Sequence, residues 1–319
     1  MTVIGYHASH EQVPPGMLLA AVRLAETIGF DAAMCSDHLA PWSRAQGESG
    51  FAWSWIGAAL ACTDFPIGLV TAPGQRYHPV IVAQAMATVE EMFPGRFWAV
   101  MGSGEALNEH VTGDPWPDKD ARERRLHHSV SAIRGLLAGQ RITVDDGIRV
   151  HEARVWSLPA SPPPVLAAAI SPDTAAWAAG WADGIITVGA DADATHAALS
   201  AYREAGGRGD AVLQVHVSLE DTAAQALDVA REQWSHSTVP PELMWDLEQP
   251  EDFEALADPT DDRLRQSVLI SGSAEALAER IAHVARDFDH VYLHHVGTDQ
   301  AGFLRRCGAE LLPALRELL

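Results

Sequence analysis

The sequence predicts an α/β fold in which parallel strands alternate with helical crossovers. Eight short apolar runs recur along the 319 residues, and helical patterns lie between most of them. A similar junction leads from helix into strand at residues 29–31, 180–184 and 287–289. Eight strands with helical crossovers indicate a (β/α)8 TIM barrel, although a doubly wound sheet has the same local pattern.

The predicted strands are nearly continuous apolar runs, as expected of parallel strands that are buried on both faces. They cover residues 3–8, 30–34, 66–71, 97–102, 164–170, 185–188, 213–219 and 291–296. Helices are predicted at residues 16–28 and after Pro79, since proline is favoured in the first turn of a helix.

Two insertions interrupt this alternation, one after the fourth strand and one after the seventh. The first contains an amphipathic helix at 121–138 and a hairpin at 141–155, which turns at Asp146-Gly147. The second, 223–285, has helical patterns on either side of the acidic stretch 240–262. We expect both insertions to extend over the carboxyl ends of the strands, within a single domain that spans residues 1–319.

Composition limits the classes of partner. The formal net charge is −21, and Lys119 is the only lysine. This charge argues against nucleic acid and anionic membranes, which favour basic patches. The three cysteines are widely spaced and odd in number, and no signal peptide or membrane-spanning run is visible. We therefore expect a cytoplasmic protein that acts on a small molecule.

Polar residues follow two of the predicted strands. Asp37, His38 and Trp42 come after the second strand, and Glu105 comes after the fourth. Parallel α/β proteins place their chemistry at the carboxyl ends of strands. These side chains are therefore predicted to form an active site.

Other kinds of site fit the sequence less well. The Gly-Ser-Gly stretch at 102–104 has Leu107 where a dinucleotide-binding fingerprint has its last glycine. The adjacent histidines at 127–128 and 294–295 point apart on a helix and a strand, so no metal site is predicted. No nucleophile elbow surrounds Ser36 or Ser103, which argues against a serine hydrolase.

Five stretches resemble the luciferase-like flavin and deazaflavin oxidoreductases, in the branch around the glucose-6-phosphate dehydrogenase that depends on coenzyme F420. They are 5–12 (GYHASHEQ), 36–42 (SDHLAPW), 76–84 (RYHPVIVAQ), 104–109 (GEALNE) and 182–184 (ADG). The resemblance implies a (β/α)8 barrel, usually a homodimer, that binds a flavin-type ring at the strand ends. It also implies hydride transfer at C5 of a deazaflavin or N5 of a flavin.

The resemblance assigns roles by position. His38 and Glu105 match the acid–base pair, because hydride transfer leaves charge that positioned groups must neutralise. Trp42 matches an aromatic residue beside ring and substrate, and Glu11 and Thr187 match the substrate pocket. The cofactor contacts that it implies are Asp37, Leu69, Val70, Ser103, Gly104, Asn108, Ala168, Ala169 and Ser171. A non-proline cis peptide bond is expected near Leu69-Val70.

The chain also departs from that branch. The dehydrogenase holds its sugar phosphate with lysines and an arginine, but this chain has Ala190 and the acidic stretch at the lysine positions. A phosphosugar is therefore not the expected substrate. A glycine pair that approaches the cofactor phosphate is replaced at 168–171 by Ala-Ala-Ile-Ser. FMN, which has a shorter tail, is accordingly the alternative to coenzyme F420.

Two functional classes follow from the sequence. The first is an oxidoreductase that uses coenzyme F420 or, alternatively, an FMN-dependent reductase or monooxygenase. The second is a flavin-binding carrier or sensor without catalysis. The presence of His38, Trp42 and Glu105 together favours the enzyme, because binding alone needs no proton chemistry.

Overall fold

Eleven strands lie within residues 2–319, the part of the chain that the computed structural model describes. They are β1 (Val3–Ala8), β2 (Ala32–Ser36), β3 (Ile67–Thr71), β4 (Phe97–Met101), β5 (Ile142–Asp146), β6 (Ile148–Ala153), β7 (Val165–Ala168), β8 (Ile185–Val188), β9 (Ala211–Leu219), β10 (Leu269–Ser271) and β11 (His290–His295). Parallel pairing runs β1-β2-β3-β4-β7-β8-β9-β11 and returns to β1. These eight strands close a barrel, so the predicted (β/α)8 fold is confirmed.

Helices surround this barrel. They are α1 (Pro15–Ile28), α2 (Ala52–Cys62), α3 (Pro79–Met92), α4 (Ala106–Glu109), α5 (Lys119–Leu137), α6 (Pro172–Ala178), α7 (Ala192–Glu204), α8 (Ala223–Gln233), α9 (Pro241–Met244), α10 (Pro250–Leu256), α11 (Asp261–Ser267), α12 (Ala274–Val284), α13 (Gln300–Arg306) and α14 (Leu312–Leu318). None of the helices in residues 2–319 is long and apolar enough to cross a membrane.

Strand side chains alternate between two apolar layers, because successive residues of a strand point to opposite faces. One layer fills the barrel and includes Met34, Val100 and Tyr292. Glycines give its aromatic rings room: a Cβ at Gly5 would lie 2.2 Å from the ring of Tyr292, and one at Gly68 would lie 2.1 Å from Trp98. The other layer lies between the barrel and its helices.

Several boundaries differ from the predictions. The second strand begins at Ala32, two residues after the predicted start, because Gly29 adopts a left-handed conformation and Phe30 still bonds to Ala25 of α1. The short strand β10 was not predicted. It pairs with the outer half of β9, whose nine residues extend beyond β8.

The first insertion forms the predicted hairpin, β5–β6, with Gly147 at its turn. It does not extend over the strand ends. Ile148 and Val150 pack against Ala132 of α5 and Val80 of α3, on the outside of the barrel. The second insertion does cover the strand ends. Residues 234–262 form its covering part, and we call them the acidic lid.

The expected cis peptide bond is absent from residues 2–319. Val70 lies inside β3, where it pairs with Ser36 on one side and Val100 on the other. This regular ladder continues to Thr71 and keeps the extended trans backbone, since a non-proline cis bond costs about 2.5–4 kcal/mol.

Candidate active site

Asp37 lies directly after β2 and is buried beneath the strand ends. The hydroxyl of Thr71 donates to one carboxylate oxygen at 2.9 Å, and the phenol of Tyr77 donates to the other at 3.1 Å. Burial raises the pKa of Asp37, while Arg76 and these hydrogen bonds act in the opposite direction. Because both oxygens have protein donors, the geometry supports a role in positioning the loop rather than direct contact with a cofactor.

Arg76 joins the loops that follow β2, β3 and β4. Its guanidinium donates to the carbonyl oxygen of Asp37 at 2.7 Å and lies 3.7 Å from a carboxylate oxygen of Glu109. The backbone N–H of Arg76 donates to the other oxygen of Glu109 at 2.6 Å. Breaking such a buried charge pair leaves an uncompensated charge, so this network holds the three loops together.

His38 follows Asp37 and approaches Glu11, which lies after β1. The Nδ1 atom of His38 is 3.2 Å from a carboxylate oxygen of Glu11. The angles are not those of a well-directed hydrogen bond, so the contact is electrostatic in character. The hydroxyl of Ser9 donates to the second oxygen of Glu11 at 2.8 Å. Glu11 is thereby oriented toward the imidazole.

Glu105 and His38 are brought together by Asn108. The carboxamide oxygen of Asn108 accepts from the backbone N–H of Leu39 at 2.8 Å, and its nitrogen lies 3.4 Å from the Glu105 carboxylate. Burial raises the pKa of Glu105 to about 7. The carboxylates of Glu11 and Glu109 act in the same direction, and His38 acts in the opposite one. Glu105 can therefore exchange a proton near neutral pH.

Trp42 lies in an aromatic cluster that joins this site to the acidic lid. Its indole contacts the edge of His38, with ring centroids 5.2 Å apart. His236 stacks on it at 5.4 Å and an interplanar angle of 7°, and Phe253 approaches at 5.2 Å in an edge-to-face geometry. Lid residues therefore form one wall beside the predicted acid–base pair.

Polar contacts attach the lid to the loops that carry the site. Arg44 donates to the carboxylate of Glu254 from its side chain, at 2.5 and 2.9 Å, and from its backbone N–H at 2.9 Å. The indole N–H of Trp116 donates to Asp246 at 3.1 Å. The lid is thus connected to the loop after β2 and to the segment after β4.

A group of buried histidines lies beneath the site, at the ends of β1, β9 and β11. His7 stacks on His294 at 4.2 Å, and His216 lies 5.1 Å from His294. Gln12 and Gln214 contact the two ring nitrogens of His294 at 3.1 and 3.2 Å. Burial lowers the pKa of all three histidines, so they are neutral at physiological pH.

Small or partly exposed residues lie at the ends of β4 and β7. A Cβ at Gly102 would lie 3.8 Å from that of Ala168, which faces the barrel, and Ile170 is 48% exposed. Ser103 and Gly104, which follow β4, are partly exposed. These residues fit a flavin-type ring, because they combine small side chains with an apolar surface.

Besides Asp37, three of the predicted cofactor contacts are placed differently. Leu69 faces the helices, because it alternates with Val70, which faces the barrel. The backbone N–H of Ala169 donates to Ile186 in the β7–β8 ladder and is not free to bind phosphate. The hydroxyl of Ser171 caps α6 through Thr174. The predicted phosphate site is therefore not formed as the sequence suggested.

The remaining pocket residue, Thr187, is buried at the end of β8.

Sequence reasoning missed the structural role of Arg76 with Glu109, the aromatic lid residue His236, and the buried histidines. One signal was available for the histidines. Gln214 and His216 alternate within an otherwise apolar strand, which marks polar side chains that point into the barrel.

Comparison with known proteins identifies the family. A model of the luciferase-like monooxygenase family matches residues 1–290. An F420-dependent glucose-6-phosphate dehydrogenase of Beutenbergia cavernae is 37% identical over 331 residues, covering 99% of this chain and 98% of that protein. One of Intrasporangium calvum is 34% identical over 335 residues, and the alignment covers 100% of both.

Solved structures share the architecture. An F420-dependent secondary alcohol dehydrogenase in complex with an F420-acetone adduct aligns with a TM-score of 0.90 and 27% identity, over 99% of each chain. An F420-dependent tetrahydromethanopterin reductase from Methanopyrus kandleri has a TM-score of 0.79 at 18% identity, over 98% of this chain and 99% of that one, which shows the fold alone. The chain belongs to the luciferase-like monooxygenase family.

Proposed function

We propose that the protein is an oxidoreductase that uses coenzyme F420 to interconvert a small, uncharged alcohol and its carbonyl product. The observation that carries this proposal is Glu105, whose pKa is raised to about 7 where Asn108 brings it beside His38. A binding protein needs no such group, whereas a hydride-transfer enzyme needs positioned acids and bases. The relatives named for F420-dependent dehydrogenases support the same reaction class.

Coenzyme F420, when bound, supplies the centre that accepts or gives the hydride. We assign its ring to the surface formed by Gly102, Ser103, Gly104, Ala168 and Ile170. FMN is the alternative, since its shorter tail would not need the glycine pair that this chain lacks. The relatives at 37% and 34% identity are F420-dependent dehydrogenases, which favours coenzyme F420.

The chain's own residues handle the protons. His38, oriented by Glu11, is placed to take the hydroxyl proton of an alcohol or to return it to a carbonyl oxygen. Glu105 is placed to exchange a proton with the ring, because it is half-buried and titrates near neutral pH. The lid's aromatic wall and Trp42 exclude water from the reacting atoms.

The charge around the site supports an uncharged substrate. The arginines that contact its loops are already paired with carboxylates: Arg76 with Asp37 and Glu109, and Arg44 with Glu254. A phosphate group would have to compete with these carboxylates, and each lost charge-assisted hydrogen bond costs about 1.5–3 kcal/mol. We therefore propose that glucose 6-phosphate, named for the relatives, is not the preferred substrate.

The experiment begins with the absorbance spectrum of the purified protein, which distinguishes a bound deazaflavin from FMN. The protein loaded with oxidised coenzyme F420 is then mixed with secondary alcohols, unphosphorylated sugars or glucose 6-phosphate. With oxidised coenzyme F420 in excess over the protein, we expect the uncharged alcohols to bleach the cofactor over many turnovers. Bleaching by glucose 6-phosphate at micromolar Michaelis constants would refute the charge argument. Cofactor binding without bleaching by any alcohol or carbonyl compound would favour a carrier or sensor.

We further propose that the protein is a cytoplasmic homodimer. The dimer follows from the family resemblance, and the location is supported by the three free cysteines, which fit a reducing compartment. Light scattering coupled to size-exclusion chromatography measures the mass in solution. A monomeric mass at micromolar concentration would contradict the dimer.

A further inference from the structure

His236 is the lid residue most firmly placed against the active site. It lies in the short helical turn Ser235–Thr238 and is 4% exposed. Its ring stacks on Trp42, and on another side it meets Trp234 with ring centroids 4.6 Å apart at an interplanar angle of 62°. Two indoles therefore fix the position and the plane of this imidazole.

The polar atoms of this group lack protein partners. Nδ1 of His236 is buried without a hydrogen bond to any atom of residues 2–319, and the same is true of the indole N–H of Trp234. Buried polar atoms are almost always paired, so an orphan of this kind marks a place for a polar group that the protein itself does not supply. One donor and one potential acceptor in adjacent rings suit a hydroxyl or a carbonyl oxygen.

The imidazole is uncharged. Burial, with smaller contributions from His216 and His38, places the pKa of His236 well below the ordinary value. A neutral ring surrounded by indoles gives no compensation for a buried anion, whereas it can hydrogen-bond a neutral oxygen. His236 therefore offers hydrogen bonds without charge compensation, which favours a neutral oxygen over an anion.

Trp42 connects this position to the predicted reaction centre. His38 touches the edge of its indole, and His236 lies flat on the same indole. A small molecule that reacts at His38 along the face of Trp42 would therefore bring its far end toward His236.

We propose that His236 is a specificity-determining residue that hydrogen-bonds a second, uncharged oxygen of the substrate. The substrate class is then a small neutral diol or hydroxyketone rather than a simple alkanol. The proposal rests on the proposed function, in which His38 and Glu105 act on an alcohol or its carbonyl product. It extends that function by assigning the lid a polar contact that is separate from the acid–base pair.

The kinetic test compares two alcohols with one carbon skeleton, cyclohexanol and cis-1,2-cyclohexanediol, in the wild type and in His236→Phe. Phenylalanine keeps the flat ring and the stacking on Trp42 but removes both nitrogens. We expect the wild type to have the higher kcat/KM for the diol. In the variant, kcat/KM for the diol divided by kcat/KM for cyclohexanol should fall about tenfold. The change should come mainly from a higher KM for the diol, because one hydrogen bond to the substrate is lost.

A matched variant separates this contact from general damage to the wall. Phe253→Leu removes the other lid ring that touches Trp42 but leaves His236 in place. We expect both alcohols to be affected alike, so that the ratio stays within about twofold of the wild type. A ratio that falls as far in Phe253→Leu as in His236→Phe would overturn the assignment to His236.

A binding measurement does not depend on turnover. The ¹⁵N resonances of His236, assigned by their loss in the variant, are followed while either alcohol is added to the protein as purified and to protein loaded with reduced coenzyme F420. The diol should shift a ring nitrogen of His236, and cyclohexanol should not. If neither form responds to the diol, the orphan atom is satisfied by a buried water molecule and the proposal is wrong.

The two proposals can fail separately. If alcohols are oxidised but the ratio and the resonance are insensitive to the second hydroxyl, the proposed function stands and the role of His236 falls. If no alcohol reacts but the diol shifts the His236 resonance in the wild type, the binding contact stands and the proposed function falls.

Discussion

Nδ1 of His38 lies 3.2 Å from a carboxylate oxygen of Glu11, and the two side chains come from the loops after adjacent barrel strands. The second oxygen of Glu11 is held by Ser9. This arrangement gives the imidazole a fixed acidic neighbour, which favours one orientation of the ring.

Replacing Glu11 tests that relationship. Glu11→Gln keeps the size of the side chain and removes its charge, so we expect kcat to fall by at least about tenfold, because the imidazole of His38 loses the carboxylate that orients it. Steady-state kinetics with a confirmed substrate provides the measurement. Ser9→Ala is the matched control, since it leaves the carboxylate in place, and it should lower kcat less than Glu11→Gln does. Equal rates for wild type and Glu11→Gln would show that the contact is structural.

The acid–base pair has the largest expected effects. General acid–base groups contribute about 10²–10⁴-fold, so Glu105→Gln and His38→Ala should each lower turnover by that order. Cofactor affinity, measured by titration of the cofactor's fluorescence, should change far less. Turnover at the wild-type rate in either variant would reject its catalytic role. Loss of cofactor binding together with activity would instead indicate a structural role.

Glu105 also predicts a pH profile. Because its pKa is about 7, the carboxyl is largely protonated below pH 7 and ionised above it. The direction of reaction that needs the acid form should slow above pH 7, and the direction that needs the base form should slow below it. The measurement is kcat/KM as a function of pH in each direction of the reaction. In Glu105→Gln the change of kcat/KM around pH 7 should disappear. If the change persists, it belongs to another group.

The buried histidines predict loss of stability in acid. Burial lowers the pKa of His216 and of His295 from 6.5 to about 4. Between these values the unfolded chain binds more protons, so stability falls as the pH decreases, by about 1.4 kcal/mol per pH unit for each histidine. Glu105 opposes this, because its raised pKa makes the folded state bind more protons between pH 4.5 and 7.

Urea unfolding at pH 7.5, 6 and 5 measures the balance. We expect the free energy of unfolding to decrease steadily below pH 6.5, because within residues 2–319 seven histidines have lowered pKa values and only five carboxyls have raised ones. His295→Gln should reduce the dependence of the free energy of unfolding on pH by the contribution of one histidine. His151→Gln, an exposed position on the hairpin, should leave the slope unchanged. Stability that is constant or rises down to pH 5 would contradict the prediction.

The contact between Arg44 and Glu254 predicts how firmly the lid is held. The Arg44 side chain is 69% exposed, and exposed ion pairs are worth about 0.2–1 kcal/mol. Arg44→Ala should therefore raise KM by up to about fivefold, with a small effect on kcat, and high salt should reduce the difference. Arg141→Ala, which removes an exposed pair with Glu152 on the hairpin, is the matched control. An equal KM in Arg44→Ala and Arg141→Ala would show that the ion pair between Arg44 and Glu254 does not support the lid.

Much of the architecture could be read from the sequence alone. The eight barrel strands were predicted because parallel strands buried on both faces are apolar throughout, a pattern that is local in the chain. The positions of Asp37, His38 and Glu105 followed, since residues directly after parallel strands meet at one end of the barrel. The family was also evident from short motifs, and the family model confirmed it.

Tertiary structure decided the details of the site. No local pattern could show that His236 stacks on Trp42, because the two residues are 194 positions apart and meet only when the lid folds over the barrel. The same holds for Arg76, whose carboxylate partners come from two other loops. Ala169 lost its predicted role because the β7–β8 ladder uses its N–H. Local apolar periodicity therefore determined the strands, whereas pairing between distant residues determined which polar atoms remain free for chemistry.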